Sequence, residues 1–358
     1  MTNLRFGIIG AGGVAVRNHI PNLVRSGHVD LAFACRKGRE PLEKIRDHYG
    51  FEHASEDVDD AWDLDLDAVV VSSPHHLHFE HAKAALERGL HVFCEKPMTL
   101  KATEAWELAG LAEERGLHMM IANGWNYSPH FDIARETILG GGIGDVEAIS
   151  CVHASPIRNV LAGDRGRAKW DADLVQIDLT TWQLPEQGGG FAHGQIGHAA
   201  ALFLWMTGLS VEWVQGRTSN AGAAVDLHDA VSFICNGGVL GDYFGSGAVP
   251  DDCPFQLEIR ILGSGGLIHL DLERPRFDIL RHDGAHRRID VGPDDWAYRL
   301  DHATLRFVDL VRGAGGENRS PGDLGARCVE LSEALLLSAG AGGAGVQIGP
   351  NGKMTLSA

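Results

Sequence analysis

Three short stretches of this sequence hold residue types that could do chemistry together. Gly10-Ala11-Gly12-Gly13-Val14-Ala15 follows an apolar run and reads GxGxxA. At a strand-to-helix turn, Gly10 would permit the tight bend and Gly12 would let backbone approach a pyrophosphate. Small Ala15 would allow close helix–strand packing, with the helix N-terminus facing the anion. The second stretch, Cys94-Glu95-Lys96-Pro97, puts an amine at the end of another apolar run. Partly desolvated there, a lysine can have its pKa pushed towards neutrality and then give or take a proton. The third runs from Gly188-Gly189-Gly190 through His193 and Gln195 to His198. An imidazole, with an unperturbed pKa of ~6.5, suits proton transfer near neutral pH.

The elements that must position these residues show in the apolar pattern. Runs at 4–9, 31–35, 68–72, 91–94 and 119–122 are too continuously apolar to have one face in water, as expected for parallel strands buried on both sides. Between them, 80–88 and 105–115 carry apolar residues at helical spacing and end at Gly89 and Gly116, where a left-handed cap favours glycine. The expectation is an α/β fold with a doubly wound parallel Rossmann domain over 1–123. Ser73-Pro74-His75-His76-Leu77-His78 and Glu95-Lys96 would lie at the carboxyl ends of its third and fourth strands, where ligands bind. After about residue 125, Gly-rich turns separate longer alternating segments at 146–152, 211–217, 230–235, 239–245, 256–262 and 266–272. These predict an α+β domain over 124–358 with a large, mostly antiparallel sheet. Helices are expected at 197–206, 302–312 and 323–338.

A Rossmann domain that prefers NAD carries an acid at the end of its second strand to bind the ribose hydroxyls. This chain has Cys35-Arg36-Lys37-Gly38-Arg39 there. Arg36 and Lys37 would suit a 2′-phosphate, which places NADP(H) ahead of NAD(H), the alternative being a solvated basic loop.

Together the glycine turn, Glu95-Lys96-Pro97 and the Gly triplet before His198 resemble the Gfo/Idh/MocA oxidoreductases, over nearly the whole chain. The family takes its name from glucose–fructose oxidoreductase, inositol dehydrogenase and a rhizopine-catabolism protein. The resemblance implies a nicotinamide cofactor held by Gly10, Ala11, Gly12, Gly13, Val14, Ala15, Arg36, Lys37, Ser73, Pro74, His76, His78, Glu95, Lys96 and Asn126. It also implies that Lys96 lies beside the nicotinamide and the reacting hydroxyl, with His198 as acid/base or hydroxyl-orienting partner. His193, Gln195, Tyr127 and Trp182 are candidate substrate contacts, a flat indole suiting a sugar face. Asp178 could line the same pocket. Two departures stand out: many members carry Asp four residues before the His, where this chain has Gly194, and His75 replaces an Asn. The implied reaction is hydride transfer between the nicotinamide and a secondary alcohol or ketone of a sugar, inositol or related polyol. An NAD-dependent glycosidase using transient oxidation, or a non-catalytic NADP(H) sensor, is the alternative.

Bulk properties narrow the partners. At 358 residues two domains are expected, and a formal charge of −17 with no Lys/Arg run argues against nucleic acid or an anionic membrane. Six scattered cysteines without paired spacing read as thiols in a reducing compartment, hence a cytoplasmic enzyme. No stretch approaches ~18 apolar residues. No metal is expected: His76 and His78 alternate across a strand-like segment, and no HxxxH sits with a third carboxylate. Family members commonly associate through the open face of the large sheet, so a homodimer or homotetramer is expected.

Overall fold

The structure, a computed structural model, describes residues 3–166 and 174–357. Six parallel strands, β1 (Leu4–Ile9), β2 (Val29–Cys35), β3 (His53–Ser55), β4 (Ala68–Val71), β5 (His91–Cys94) and β6 (Met119–Ile121), form the first sheet. Their order is β3-β2-β1-β4-β5-β6. Strand order reverses between β1 and β4, which opens a crevice at the carboxyl ends of the strands. β4 is buried throughout because helices cover both faces of the sheet. These are α1 (Ile20–Ser26), α2 (Arg39–Tyr49), α3 (His78–Glu87) and α4 (Ala102–Glu114). Gly89 and Gly116, just past α3 and α4, have φ of 81° and 64°, the left-handed geometry expected of them.

The second unit begins with α5 (Pro129–Leu139) and is built on a ten-stranded sheet. Its strands are β7 (Val146–Ala154), β8 (Val211–Ser219), β9 (His228–Cys235), β10 (Leu240–Ser246), β11 (Gln256–Gly263), β12 (Gly266–Asp271), β13 (Arg276–Arg281), β14 (His286–Ile289), β15 (Val346–Ile348) and β16 (Met354–Leu356). The order is β14-β13-β12-β11-β7-β10-β9-β8-β15-β16, antiparallel except where β7 runs parallel to β10. Two single turns, α6 (Arg158–Leu161) and α7 (Thr180–Gln183), precede α8 (Gly197–Thr207). α8 is buried from Ala199 to Thr207, as a helix apolar on all sides must be.

Two further helices, α9 (Leu300–Val311) and α10 (Gly322–Gly340), return to the first sheet, one to each face. Phe307 of α9 packs on Phe6 and Phe93, with centroids 5.9 and 5.3 Å away. On the other face, Trp106 donates to Glu330 Oε1 at 2.7 Å, and Ala326 and Val329 join the core below α4. Residues 318–321 run along β6, with Ile121 N donating to Ser320 O at 2.8 Å. They cover a strand edge that would otherwise expose unpaired backbone.

Candidate active site

The glycine turn ends β1. Gly10 has φ 93°, and a Cβ there would collide with the backbone of Ser72 and Ser73. Gly10 and Ala11 donate to Cys35 O at 2.9 and 2.8 Å, which pins the turn to β2. Gly12 differs: a Cβ there would meet nothing nearer than Gly10 O at 3.9 Å, so its side is open. The helix starts at Gly13, its first N–H groups lacking a carbonyl one turn earlier. Over Ala15–His19 it widens into a π turn. This open, donor-rich turn fits a pyrophosphate. Arg36 reaches the rim, its Nη1 donating to Ala11 O at 3.3 Å. Lys37 instead donates to Glu56 O at 2.9 Å, and Glu56 Oε1 accepts from Gly38 N at 2.6 Å. Lys37 is thus committed to its own loop.

After β4 the chain forms a 3₁₀ turn and then α3, so the strand-like alternation expected of His76 and His78 does not exist. Pro74 and His76 are exposed at the lip. Ser73 Oγ bonds His81 Nδ1 at 2.9 Å. His75 is buried and its Nδ1 donates to Gly188 O at 3.0 Å, tying the two units together. His78 corrects an expectation. It is fully buried, with Nδ1 2.7 Å from Pro97 O and Nε2 2.8 Å from Ser73 O. Its ring braces two turns and offers a nucleotide nothing.

β5 delivers Glu95 and Lys96 in opposite directions. Glu95 Oε1 meets His19 Nε2 at 2.7 Å beneath the glycine turn. Burial alone would raise the Glu95 carboxyl, but the bond and charge of His19, with Lys96 and His78, hold it below its ordinary value. Lys96 is half-buried and reaches across to the second unit, where Nζ donates to Gly194 O at 2.8 Å and lies 5.5 Å from the Trp182 ring centroid. Burial pushes this amine down, and Glu95 reverses only part of the effect. The Lys96–Pro97 peptide is cis.

The Gly triplet is glycine for steric reasons. A Cβ on Gly188 would press into Leu100 and His75, one on Gly189 into the Trp182 carbonyl, and one on Gly190 (φ 100°) into the Asp226 carboxylate. Asp226 Oδ2 accepts from Ala192 N at 2.7 Å and so caps a second π turn, Ala192–Ile196. Wide turns of this kind concentrate at functional sites. This one carries His193, Gly194 and Gln195, and α8 then presents His198, one helical turn beyond the carbonyl that holds Lys96.

His198 has a partner that sequence reasoning missed. Its Nδ1 lies 2.9 Å from Tyr298 Oη, and Tyr298 Oη donates to Ala122 O at 2.7 Å. The one phenolic hydrogen is spent on the carbonyl, so His198 Nδ1 must donate and Nε2 keeps its lone pair. Burial, then the charges of Lys96 and His153, hold His198 well below an ordinary histidine, hence neutral. His153 of β7 was also missed. It bonds Tyr243 Oη (3.1 Å) and Ser155 Oγ (3.2 Å), and Ser155 donates to Gln195 Oε1 at 3.0 Å. Burial pushes His153 down to about 3 and His193 to about 4. His193 Nδ1 is buried without a partner. Tyr298 lies 100 residues from His198, and no spacing rule could have linked them.

Three other expectations are corrected. Asn126 is fully buried, its amide donating to Ala201 O and Arg319 O at 3.3 and 2.9 Å, so it holds α8 to the 318–321 segment and not a cofactor. Tyr127 is buried and accepts from Arg319 N at 3.1 Å, a core contact away from substrate. Asp178 Oδ1 accepts from Thr180 N and Oγ1 at 2.9 and 2.6 Å, a local cap at α7. Residues 167–173, between α6 and α7, lie outside the described residues. Among the described residues, one group sits at metal-ligand spacing, Glu258, His269 and Asp271. It is on the far face of the large sheet, its carboxylates paired with Arg260 and Arg274.

A parallel sheet with an open glycine turn and a half-buried amine at its carboxyl end, facing a neutral imidazole from a second unit, fits a nucleotide-dependent oxidoreductase. Residues 4–123 match the model of the oxidoreductase family with an NAD-binding Rossmann fold, and 131–269 match the GFO/IDH/MocA C-terminal domain. The chain is 30% identical to a dTDP-3,4-didehydro-2,6-dideoxy-alpha-D-glucose 3-reductase of Streptomyces violaceoruber, over 93% of this chain and 94% of the relative. Over 38% of this chain and 42% of the relative, it is 33% identical to D-xylose 1-dehydrogenase (NADP(+)) 2 of Haloferax volcanii. The fold matches the WlbA dehydrogenase of Bordetella pertussis, solved with NADH and UDP-GlcNAcA. The TM-score is 0.76 at 20% identity, covering 97% of this chain and 99% of that one. The chain belongs to the Gfo/Idh/MocA family of oxidoreductases. No helix among the described residues is long and apolar enough to cross a membrane.

Proposed function

We propose that this enzyme transfers hydride between a nicotinamide, NADP(H) ahead of NAD(H), and a secondary carbinol or its ketone on a sugar, inositol or related polyol. The observation that carries the reading is the Lys96 amine on the Gly194 carbonyl, one helical turn before His198, across the boundary between the units at the carboxyl end of β5. When bound, the nicotinamide ring supplies or accepts the hydride. Gly12, Gly13, Val14 and Ala15 would cradle the pyrophosphate, and Arg36 at the rim would face a 2′-phosphate.

The chain's own residues handle the proton. His198 keeps a bare Nε2, which accepts from a second hydroxyl of the substrate and orients the carbinol towards Lys96, while Nδ1–H, Tyr298 and the Ala122 carbonyl hold the ring in that tautomer. Lys96, with its lowered pKa, takes the hydroxyl proton in the oxidative direction and returns it in the reductive one. The charge of Lys96 helps to hold His198 down, so a proton on the amine disfavours one on the imidazole. His193, with a free Nδ1, and Gln195, fixed by Ser155, are the substrate hydrogen-bonders. The relatives' names, a keto-sugar reductase and a pentose dehydrogenase, support the sugar class.

The test is nicotinamide absorbance with NADP+ and NAD+ against a panel of aldoses, inositols and nucleotide sugars. Polyol-dependent reduction, faster with NADP+ and reversed in preference by Arg36→Asp, is the expected result. Nucleotide binding with no turnover on any substrate, or cleavage of a chromogenic glycoside with no net reduction, would overturn it.

We also infer a cytoplasmic homo-oligomer. All six cysteines are free thiols and five are buried, which suits a reducing compartment. The open face of the large sheet lays out cross-strand rows by register. Trp213, Ile234, Leu240, Ala148, Leu262, Leu267 and Leu280 form an apolar row, beside a polar row of Ser232, Asp242, Ser150, Arg260, His269 and Asp278. Leu240 is 61% exposed and Phe244 46%. An apolar stripe beside a row carrying both charges can pair with its own two-fold copy. Leu240→Glu with Phe244→Glu should yield monomers by sedimentation; an unchanged sedimentation coefficient would exclude this face.

A further inference from the structure

Among the described residues, no acid is bonded to the Lys96 amine. Glu95 is turned away towards His19, and the partners of Lys96 Nζ among the described residues are one carbonyl and one aromatic ring. That ring is not merely nearby. A Cβ on Gly194 would stand 2.5 Å from Trp182 Cζ3, 3.2 Å from Cε3 and 3.5 Å from Cη2, so the indole edge rests on the bare Cα of Gly194. No residue with a side chain fits position 194 while the indole stays where it is.

The indole is itself locked. Trp182 N donates to Leu179 O at 3.0 Å, and Trp182 O accepts from Gly190 N at 3.2 Å. Its ring meets His75 edge-on, with centroids 5.1 Å apart and planes at 77°. His75 in turn is bonded to Gly188 O. Gly194 is therefore the seat for one aromatic side chain, and that side chain lies over Lys96.

We propose that Trp182 is the positioning residue for Lys96: seated on Gly194, its indole holds the amine on the Gly194 carbonyl and keeps water from it, in place of a carboxylate. This rests on the reading of Lys96 as a proton-transfer group. A cation within ~6 Å of an indole face is attracted, while the same ring excludes the water that would stabilise the charge. A carboxylate would instead hold the amine protonated. Among the described residues, the charged or titratable groups around the amine are Glu95 on β5, His75 and His78 after β4, His153 on β7, His193 on the second π turn, His198 on α8 and Cys328 on α10. Glu95 is the one carboxylate among these, so the indole helps to set how wet the amine is.

The experiment compares Trp182→Phe, Trp182→Ala and Gly194→Ala with the parent protein. Lys96 titration is read without substrate, from the pH dependence of its acylation followed by mass spectrometry. Calorimetry with NADPH checks the nucleotide site. Trp182→Ala admits water and should raise the Lys96 midpoint by about one pH unit. Gly194→Ala, a mild change that pushes the indole off its seat, should move the midpoint the same way. Trp182→Phe keeps an aromatic cover and should stay near the parent, with NADPH affinity within about twofold throughout. On a turned-over substrate, kcat should fall about tenfold in Trp182→Ala and recover in Trp182→Phe. An unchanged midpoint in both alanine variants, or equal shifts in Trp182→Phe and Trp182→Ala, would overturn the proposal. Failure of the polyol reading would appear differently, as a parent protein that turns over no polyol while the Lys96 titration stays readable.

Discussion

At the scale of single residues, the site is governed by which nitrogens keep their lone pairs. Tyr298 serves His198 by accepting its Nδ1–H while donating to Ala122 O, and this fixes where the imidazole can receive a proton. Tyr298→Phe removes the lock, so both tautomers become available and Ala122 O loses its donor. We expect kcat to fall about 10- to 100-fold, the usual size of a supporting hydrogen bond's effect. NADPH affinity should stay within about threefold by calorimetry. A parent-like kcat would show that the tautomer does not matter.

At the scale of elements, the two glycines of the cradle should separate. At Gly10 the φ of 93° and contact with Ser73 leave no room for a Cβ, so Gly10→Ala should lower the melting temperature markedly. At Gly12 a Cβ meets only open space, so Gly12→Ala should melt like the parent yet weaken NADPH binding at least about tenfold, as any side chain there opposes a pyrophosphate. Equal melting and equal affinity in Gly12→Ala would move the nucleotide elsewhere. Much at this scale was legible in the sequence. β1, β4 and β5 read clearly because helices on both faces make their runs uniformly apolar. α9 and α10 lie within two residues of their expected ends. β3, β15 and β16, three residues each, carry too little pattern; β13 was missed because charged residues interrupt its apolar run, and β14 because Arg287 and Arg288 are adjacent and break any alternation. The π turns leave no mark on a 3.6-residue period. Of the site, Lys96 and His198 were visible from their motifs. His153, Tyr298 and the seat of Trp182 on Gly194 were not, because each is a contact between distant segments.

At the scale of the whole molecule, the unit boundary is filled with neutral histidines. His75, His78, His153, His193 and His198 all sit below their ordinary pKa, chiefly through burial. Once unfolded, each would bind a proton near ~6.5. Below that pH the unfolded chain therefore holds more protons than the folded one, and stability must fall with pH. The window runs from about pH 6.5 down towards the lowered values, about 4 for His193 and about 3 for His153. Chemical denaturation should show a flat stability from pH 8 to 7 and a steep loss from about pH 6 to 4; equal stability at both ends would mean that these rings are already charged in the fold. The same boundary brings an amine from one unit to an imidazole from the other, on which the enzymatic reading depends. The direct test is kcat for a polyol substrate in Lys96→Met, with NADPH affinity and melting temperature shown to be unchanged. The account predicts a loss of about 100-fold or more. A variant that binds nucleotide normally and keeps kcat within about threefold would contradict it.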